Sequence, residues 1–76
     1  MAEEAWETRT FSGSTQIVEA AYHVEKQTLR ITFLKGLRYE YYRVPAEAWE
    51  AFQNAESAGK FFHKVIEPGY DYRLLE

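Results

Sequence analysis

Two runs of alternating apolar and polar residues, TLRITF at 28–33 and LRYEYY at 37–42, are separated by a short segment that ends in Gly36. A period of two is typical of a strand with one buried face, and two such runs joined by a glycine-containing turn indicate a β-hairpin. A three-residue loop over 34–36 would close on a residue in the left-handed conformation, which glycine adopts without steric cost. We therefore expect an antiparallel hairpin here, and this hairpin constrains the rest of the fold.

The loop length decides which side chains of the hairpin are buried. A three-residue loop pairs Ile31 with Tyr39 and Leu29 with Tyr41, which gathers the apolar side chains on one face. A two-residue loop would instead place charged residues of the second run beside Ile31. We therefore predict the three-residue loop, with both tyrosines in the core. On the opposite face, the predicted pairs are Arg30 with Glu40 and Thr32 with Arg38.

The remaining pattern predicts one more strand and two helices. Residues 16–23 alternate over most of their length, which is typical of a strand. Pro45 suits the first turn of a helix over 45–55, because a missing N–H loses nothing there. Ser57 is expected to cap a second helix over 58–66. The helical residues expected to face the core are Trp49, Phe52 and Ala55, then Phe62, Val65 and Ile66.

The order of these elements predicts an α+β domain, a three-stranded antiparallel meander followed by two helices packed on one face. Residues 1–13 show no period, so we expect a flexible N-terminal arm, with 14–76 forming a single domain. The tail over 70–76 is expected to be either a short strand or an extended docking segment. A chain this short needs a compact core, and its six tyrosines, five phenylalanines and two tryptophans supply one.

The chain lacks the residue sets that most catalytic sites require. It has no cysteine, and neither of its two histidines, His23 and His63, belongs to a recognisable motif for nucleophilic catalysis or zinc binding. We therefore expect no enzyme activity, no catalytic residue, no metal and no cofactor. The acidic start is unlike a signal peptide, and no apolar run approaches the roughly 18 residues of a membrane span. A cytoplasmic protein without membrane contact is expected.

One part of the chain carries a local excess of positive charge. The net charge is −3, yet residues 28–43 hold four basic residues against one acidic residue. An exposed aromatic side chain beside arginines is what base stacking and phosphate contact require. On this basis we predict five contacts to RNA, namely Arg30, Arg38, Tyr42, Lys60 and Lys64. The alternative is a solvated sheet face with cross-strand ion pairs and one exposed tyrosine.

The segment SAGK at residues 57–60 is a second candidate site. Free N–H groups at a helix start beside Ser57, Gly59 and Lys60 can bind one phosphate or carboxylate. The segment lacks the first glycine and the final Ser or Thr of a phosphate loop. A capped helix in which Gly59 allows close packing explains the same residues, and we favour this structural interpretation.

Short motifs are spread along residues 14 to 74. They are Ile17 and Tyr22, the strand TLRITF with Gly36 after it, Tyr39 and Tyr41 of the YEY motif, Val44 with Pro45, the segment AESAGKFF, Ile66 and Tyr70. Together they resemble the KTSC domain, a short bacterial domain found at the C-terminus of some lysyl-tRNA synthetases and as a stand-alone protein. His23 and His63 depart from the family pattern, which commonly has an acidic residue and an asparagine at those positions.

The resemblance implies a domain of unknown specific function, for which RNA binding is proposed because of the synthetase association. It supplies no catalytic residue and no cofactor. Two functional hypotheses follow. The first is a module that binds RNA or tRNA through the basic, aromatic sheet face. The second is a module that binds a protein partner, or a second copy of itself, through an exposed sheet edge or apolar patch.

Overall fold

The computed structural model of the chain describes residues 6–11 and 16–75. Within these residues, five antiparallel strands form one sheet in the order β1-β2-β3-β4-β5. They are β1 (Trp6–Thr10), β2 (Ile17–His23), β3 (Thr28–Phe33), β4 (Arg38–Tyr41) and β5 (Tyr72–Leu74). The helical elements are α1 (Ala46–Asn54), α2 (Ala58–Phe61), a π-helical turn (Phe62–Ile66) and α3 (Glu67–Gly69). The last three follow one another without a break and form one helical segment.

The β3–β4 hairpin has the predicted register. Its cross-strand pairs are Leu29 with Tyr41, Arg30 with Glu40, Ile31 with Tyr39 and Thr32 with Arg38. The loop closes with a hydrogen bond from the N–H of Phe33 to the carbonyl of Leu37, at 2.8 Å. Gly36 has a φ of +95°, a conformation that residues with a side chain rarely adopt. The glycine therefore sets the loop length, and the loop length sets which side chains are buried.

The sheet has five strands where the sequence predicted three. Residues 6–10 of the segment expected to be a flexible arm form β1, which pairs with β2 along its whole length. Residues 1–5 and 12–13 of that segment lie outside the described residues. The tail contributes β5, which pairs with β4. Both strands lie at sheet edges and are exposed over most of their length. Little apolar alternation marks β1 in the sequence, whereas the tail forms the short strand that was one of its two predicted alternatives.

The helices cover one face of the sheet, which we call the inner face. Tyr22 of β2 stacks on Trp49 of α1 with ring centroids 5.5 Å apart, and Tyr41 of β4 meets Phe62 of the π turn at 5.5 Å. The largest fully buried side chains are Tyr22, Phe52, Ile17, Leu29, Ile31, Ile66 and Val44. The architecture is thus an α+β fold whose core lies between an antiparallel sheet and its helices.

The π turn changes which helical residues reach the core. The sequence predicts Val65 in the core, but its side chain is 40% exposed, whereas Phe62 and Ile66 are buried. In a π turn the hydrogen bonds span five residues instead of four. Residues four and five apart then share a side, rather than residues three and four apart as in an α-helix. Val65, three residues after Phe62, is therefore turned towards solvent.

Candidate functional site

A row of charges crosses the outer face, which is the sheet face that the helices leave uncovered. Arg30 of β3 pairs with Glu40 of β4, which in turn pairs with Arg73 of β5. Arg30 donates to Oε2 of Glu40 from Nε at 3.1 Å and from Nη2 at 2.7 Å. The hydroxyl of Tyr42 donates to Oε1 of the same carboxylate at 3.1 Å. Glu40 is thus the centre of a network that engages two of the predicted RNA contacts.

A tryptophan from β1 packs on this network. The guanidinium carbon of Arg30 lies over the ring of Trp6, 4.3 Å from its centroid. The ring of His23 meets Trp6 edge to face, with centroids 5.1 Å apart. A cation over a tryptophan face is attracted by the electron density of the ring. β1, which the sequence analysis missed, therefore brings an aromatic side chain to the face where RNA contacts were predicted.

The charge network favours the ionised form of Glu40. Burial by itself raises the pKa of this carboxyl, but the hydrogen bonds from Arg30 and Tyr42 lower it, as do the positive charges of Arg30 and Arg73. The balance leaves the pKa of Glu40 below its ordinary value of 4.5. Glu40 therefore stabilises the folded state as a carboxylate.

We expect Glu40→Gln to lower the free energy of unfolding at pH 7 by about 1 kcal/mol, because Arg30 and Tyr42 lose a charged acceptor in a half-buried place. A carboxyl whose pKa is lower in the folded state stabilises the fold above its unfolded pKa, and this contribution is lost as the pH falls through the folded pKa. The difference in the free energy of unfolding between the unmodified protein and Glu40→Gln should therefore shrink as the pH falls below 4.5. Urea denaturation at a series of pH values measures this difference.

The control for this experiment is Glu50→Gln, which neutralises an exposed carboxylate of α1. It is expected to change the free energy of unfolding by less than about 0.5 kcal/mol. If the loss of unfolding free energy caused by Glu40→Gln is the same at pH 7 and in the acid range, the network does not stabilise the Glu40 carboxylate.

The sheet separates the five predicted RNA contacts into two groups. Arg30, Arg38 and Tyr42 belong to the outer face, as predicted from the hairpin register. Lys60 lies in α2 and Lys64 in the π turn, and both are exposed on the helical segment that covers the inner face. The structure therefore brings together the three residues from the hairpin and places the two lysines elsewhere.

The predicted anion site at the start of α2 is organised as a capped helix. Oγ of Ser57 accepts a hydrogen bond from the N–H of Lys60 at 3.3 Å. A Cβ atom on Gly59 would lie 3.1 Å from the side-chain oxygen of Gln16. One N–H is thus bound by the cap, and Gln16 fills the space that Gly59 leaves. These contacts agree with the packing interpretation of Ser57, Gly59 and Lys60.

An open cleft lies between the β3–β4 hairpin, β5 and the π turn. Its volume is about 470 Å³, within the range of small-molecule sites. We call it the aromatic cleft, and its lining consists of Gln16, Phe33, Leu34, Lys35, Leu37, Tyr39, Tyr41, Phe62, His63, Glu67 and Tyr72. Leu34, Leu37 and Tyr72 are each between 41% and 66% exposed, so much of this apolar surface faces water.

Polar groups line the helical side of the aromatic cleft. His63 contacts Glu67 through Nδ1 at 2.8 Å and Gln16 through Nε2 at 2.9 Å. The N–H of Glu67 donates to the carbonyl of Phe62, so the π turn brings these two lining residues onto one side. Burial raises the pKa of the Tyr41 hydroxyl well above its ordinary value of 10.0, and the charge of Glu67 raises it further.

The sequence analysis missed Trp6, Arg73 and the aromatic cleft as parts of a site. Trp6 lies on β1, which it did not identify, and Arg73 lies on β5, which it left open between a strand and an extended segment. A signal for the cleft was available, because Leu34 lies in the hairpin loop and Leu37 directly follows it, whereas hairpin turns are commonly built from polar residues and glycine. Two exposed leucines at such a turn indicate an apolar surface that strand pairing does not require.

Neither a metal site nor a membrane span is found in the part of the chain that the structure describes. Among residues 6–11 and 16–75, no group of three or more His, Asp or Glu side chains is placed to hold a metal ion. In the same ranges, no helix combines the length and apolar character needed to cross a membrane.

Comparisons with known proteins match most of the chain. The sequence profile of the KTSC domain matches residues 13–70. A lysine–tRNA ligase of Trichormus variabilis is 41% identical over 59 residues, which are 78% of this chain and 10% of the ligase. A protein of Tsukamurella paurometabola is 35% identical over 57 residues, which are 75% of this chain and 85% of that protein.

The fold is also that of a solved structure. The crystal structure of a KTSC domain protein from Yersinia pestis superimposes with a TM-score of 0.85 and 32% sequence identity, over 95% of this chain and 100% of that chain. The chain spans about a tenth of the length of the ligase but most of the two shorter proteins. The profile, the sequence relatives and the shared fold agree, and the chain belongs to the KTSC domain family.

Proposed function

We propose that this chain is a non-catalytic module that binds RNA, and tRNA in particular, through the outer face of the sheet. One observation carries the proposal. The sheet face that the helices leave uncovered presents one arginine from each of three adjacent strands, beside two aromatic side chains. These arginines are Arg30, Arg38 and Arg73. Sheet faces of this composition suit nucleic acid, because arginines contact phosphates while aromatic rings stack on bases. The related segment of a lysine–tRNA ligase gives tRNA as the first RNA to test.

In this proposal the arginines of the outer face have different roles. Arg30 is bound to Glu40 and lies over Trp6, so in this proposal it positions the tryptophan ring. Arg38 and Arg73 supply the phosphate contacts, with Trp6 and Tyr42 as stacking surfaces. Lys60 and Lys64, on the helical side, are not part of the proposed RNA surface.

The test is a filter-binding titration of tRNA at several salt concentrations. We expect Arg38→Ala and Arg73→Ala each to weaken binding and to reduce the slope of log affinity against log salt by about 1, because each removes one phosphate contact. Lys60→Ala is the matched control, since it removes the same charge from the helical side and should leave the slope unchanged. Equal effects of the three variants, or an affinity that does not respond to salt, would refute the outer face as the RNA site.

A protein-interaction module is the second candidate, and the position of β5 as the last strand of the sheet within the described residues favours it. The N–H of Tyr42 donates to the carbonyl of Asp71, and the N–H of Leu75 donates to the carbonyl of Arg38. Backbone groups alternate in direction along a strand, so those of Tyr72 and Leu74 point away from β4. An extended peptide can add to such an edge as a further strand. A protein partner bound along β5, together with no binding of tRNA, would favour this candidate over the first.

A further inference from the structure

Three tyrosine rings form one wall of the aromatic cleft. The ring centroids of Tyr39, Tyr41 and Tyr72 lie 6.3, 5.7 and 5.5 Å apart in pairs. Tyr72 is 59% exposed and Tyr39 is half-buried, so part of this ring surface is open to solvent. The face of an aromatic ring carries negative electrostatic potential and attracts cations. The wall is therefore suited to a positively charged group.

Glu67 adds a formal negative charge at the same end of the cleft. Its carboxylate is held by Nδ1 of His63 at 2.8 Å, at the helical side of the lining. The electrostatics of Tyr41 agree with this placement, because its pKa is raised first by burial, then by Glu67, and then by Tyr39 and Tyr72. Of these causes, only the carboxylate of Glu67 carries a negative charge at neutral pH, and its effect on Tyr41 places this charge near the tyrosine wall.

The lysine of the lining lies at the other end of the cleft. Lys35 belongs to the hairpin loop, whereas Tyr41 is the last residue of β4. Leu37, the first residue after that loop, is four residues from Tyr41, or about 13 Å at the usual strand rise. The cleft is thus polarised, with a positive charge at the loop and a negative charge at the tyrosines.

We propose that the tyrosine end of the aromatic cleft binds an organic cation, an ammonium group carried on an aromatic body, through the accessible rings of Tyr39 and Tyr72, which pack on the buried ring of Tyr41, and through the carboxylate of Glu67. Aromatic rings together with a carboxylate are the chemistry that recognises such ligands. The volume of about 470 Å³ suits a small molecule of this class. This site is separate from the outer face, so it goes beyond RNA binding and does not depend on it.

The test uses three probes that share one ring system and differ in charge. Tryptamine is cationic, indole is neutral and indole-3-acetate is anionic at pH 7. We expect tryptamine to bind about threefold to tenfold more tightly than indole, with indole-3-acetate weakest, in an NMR titration. The largest chemical-shift changes should occur at Tyr39, Tyr72 and Glu67. No binding of tryptamine, or equal binding of tryptamine and indole-3-acetate, would overturn the proposal.

Two variants test the charge assignment. Glu67→Gln should reduce the preference for tryptamine over indole while leaving the binding of indole in place, because the tyrosine rings still attract the cation. Glu47→Gln makes the same charge change in the first turn of α1, outside the cleft lining, and should leave the preference unchanged. A preference that Glu67→Gln leaves unchanged, or that Glu47→Gln reduces equally, would refute the role of Glu67. Thermal unfolding of both variants checks that they remain folded. Arg73→Ala, the variant that tests the RNA surface, should leave tryptamine binding unchanged.

Discussion

Phe52→Ala is expected to lower the free energy of unfolding by about 3–5 kcal/mol, the largest effect of any single substitution considered for this chain. The Phe52 side chain is fully buried, and its ring centroid lies 5.3, 6.1 and 5.8 Å from those of Phe11, Trp49 and Phe61. Alanine would lose the buried apolar area and leave a cavity among these rings. Urea denaturation measures the loss, and each kcal/mol should lower the thermal midpoint by about 4–8 °C.

The matched control is Leu34→Ala, which truncates a side chain that is 66% exposed in the hairpin loop. Its effect on stability is expected to stay within about 0.5 kcal/mol. A cost below about 1 kcal/mol for Phe52→Ala would mean that this aromatic cluster contributes little to the packing of α1.

Tyr22→Phe is expected to cost about 1–3 kcal/mol, although it removes only one oxygen atom. The hydroxyl of Tyr22 donates to the carbonyl of Val44 at 2.6 Å, and both residues are fully buried. Phenylalanine would leave this carbonyl without its donor, in a place that water does not reach. The contact joins the C-terminal end of β2 to the segment that leads from β4 into α1, so its loss should also increase hydrogen exchange at the Val44 N–H.

Tyr72→Phe provides the comparison for this substitution. It removes the same atom from a ring that is 59% exposed, and we expect little change in unfolding free energy. If Tyr22→Phe and Tyr72→Phe lower the free energy of unfolding equally, the buried hydrogen bond of Tyr22 is not the cause of the loss. The two measurements together separate the effect of the hydroxyl itself from the effect of its burial.

The hairpin was predictable because two independent signals agreed. Apolar alternation on both strands and the glycine at position 36 each pointed to the same three-residue loop, and the structure has the register that follows. β1 was missed, and β5 was left open between a strand and a docking segment, because an edge strand is ordered by hydrogen bonds to its neighbour, which the local sequence does not encode. Val65 was misplaced because a period of 3.6 assumes a regular α-helix, and the π turn departs from it.

The candidate site was predictable to the extent that it lies on the hairpin. Arg30, Arg38 and Tyr42 share a face because strand alternation and the hairpin register determine it. Lys60 and Lys64 were grouped with them by charge alone, and charge gives no information about which side of the sheet a helix covers. The aromatic cleft joins a hairpin loop, a helical segment and an edge strand that are distant in sequence. Such a site depends on tertiary packing, which no local pattern contains.

The π turn also determines where this chain can differ in length from its relatives. If residues 62–66 formed a regular α-helix, everything after them would rotate by about 100° and advance by about 1.5 Å, which would turn Glu67 away from the cleft and redirect the chain before β5. The π turn accommodates one extra residue, so this rotation does not occur. A relative with one residue fewer in this stretch would therefore keep the same fold with an ordinary helix. A single-residue gap in an alignment at 63–65 should be treated as structurally neutral, whereas a gap within β3 or β4 would move every following side chain to the other face of the sheet.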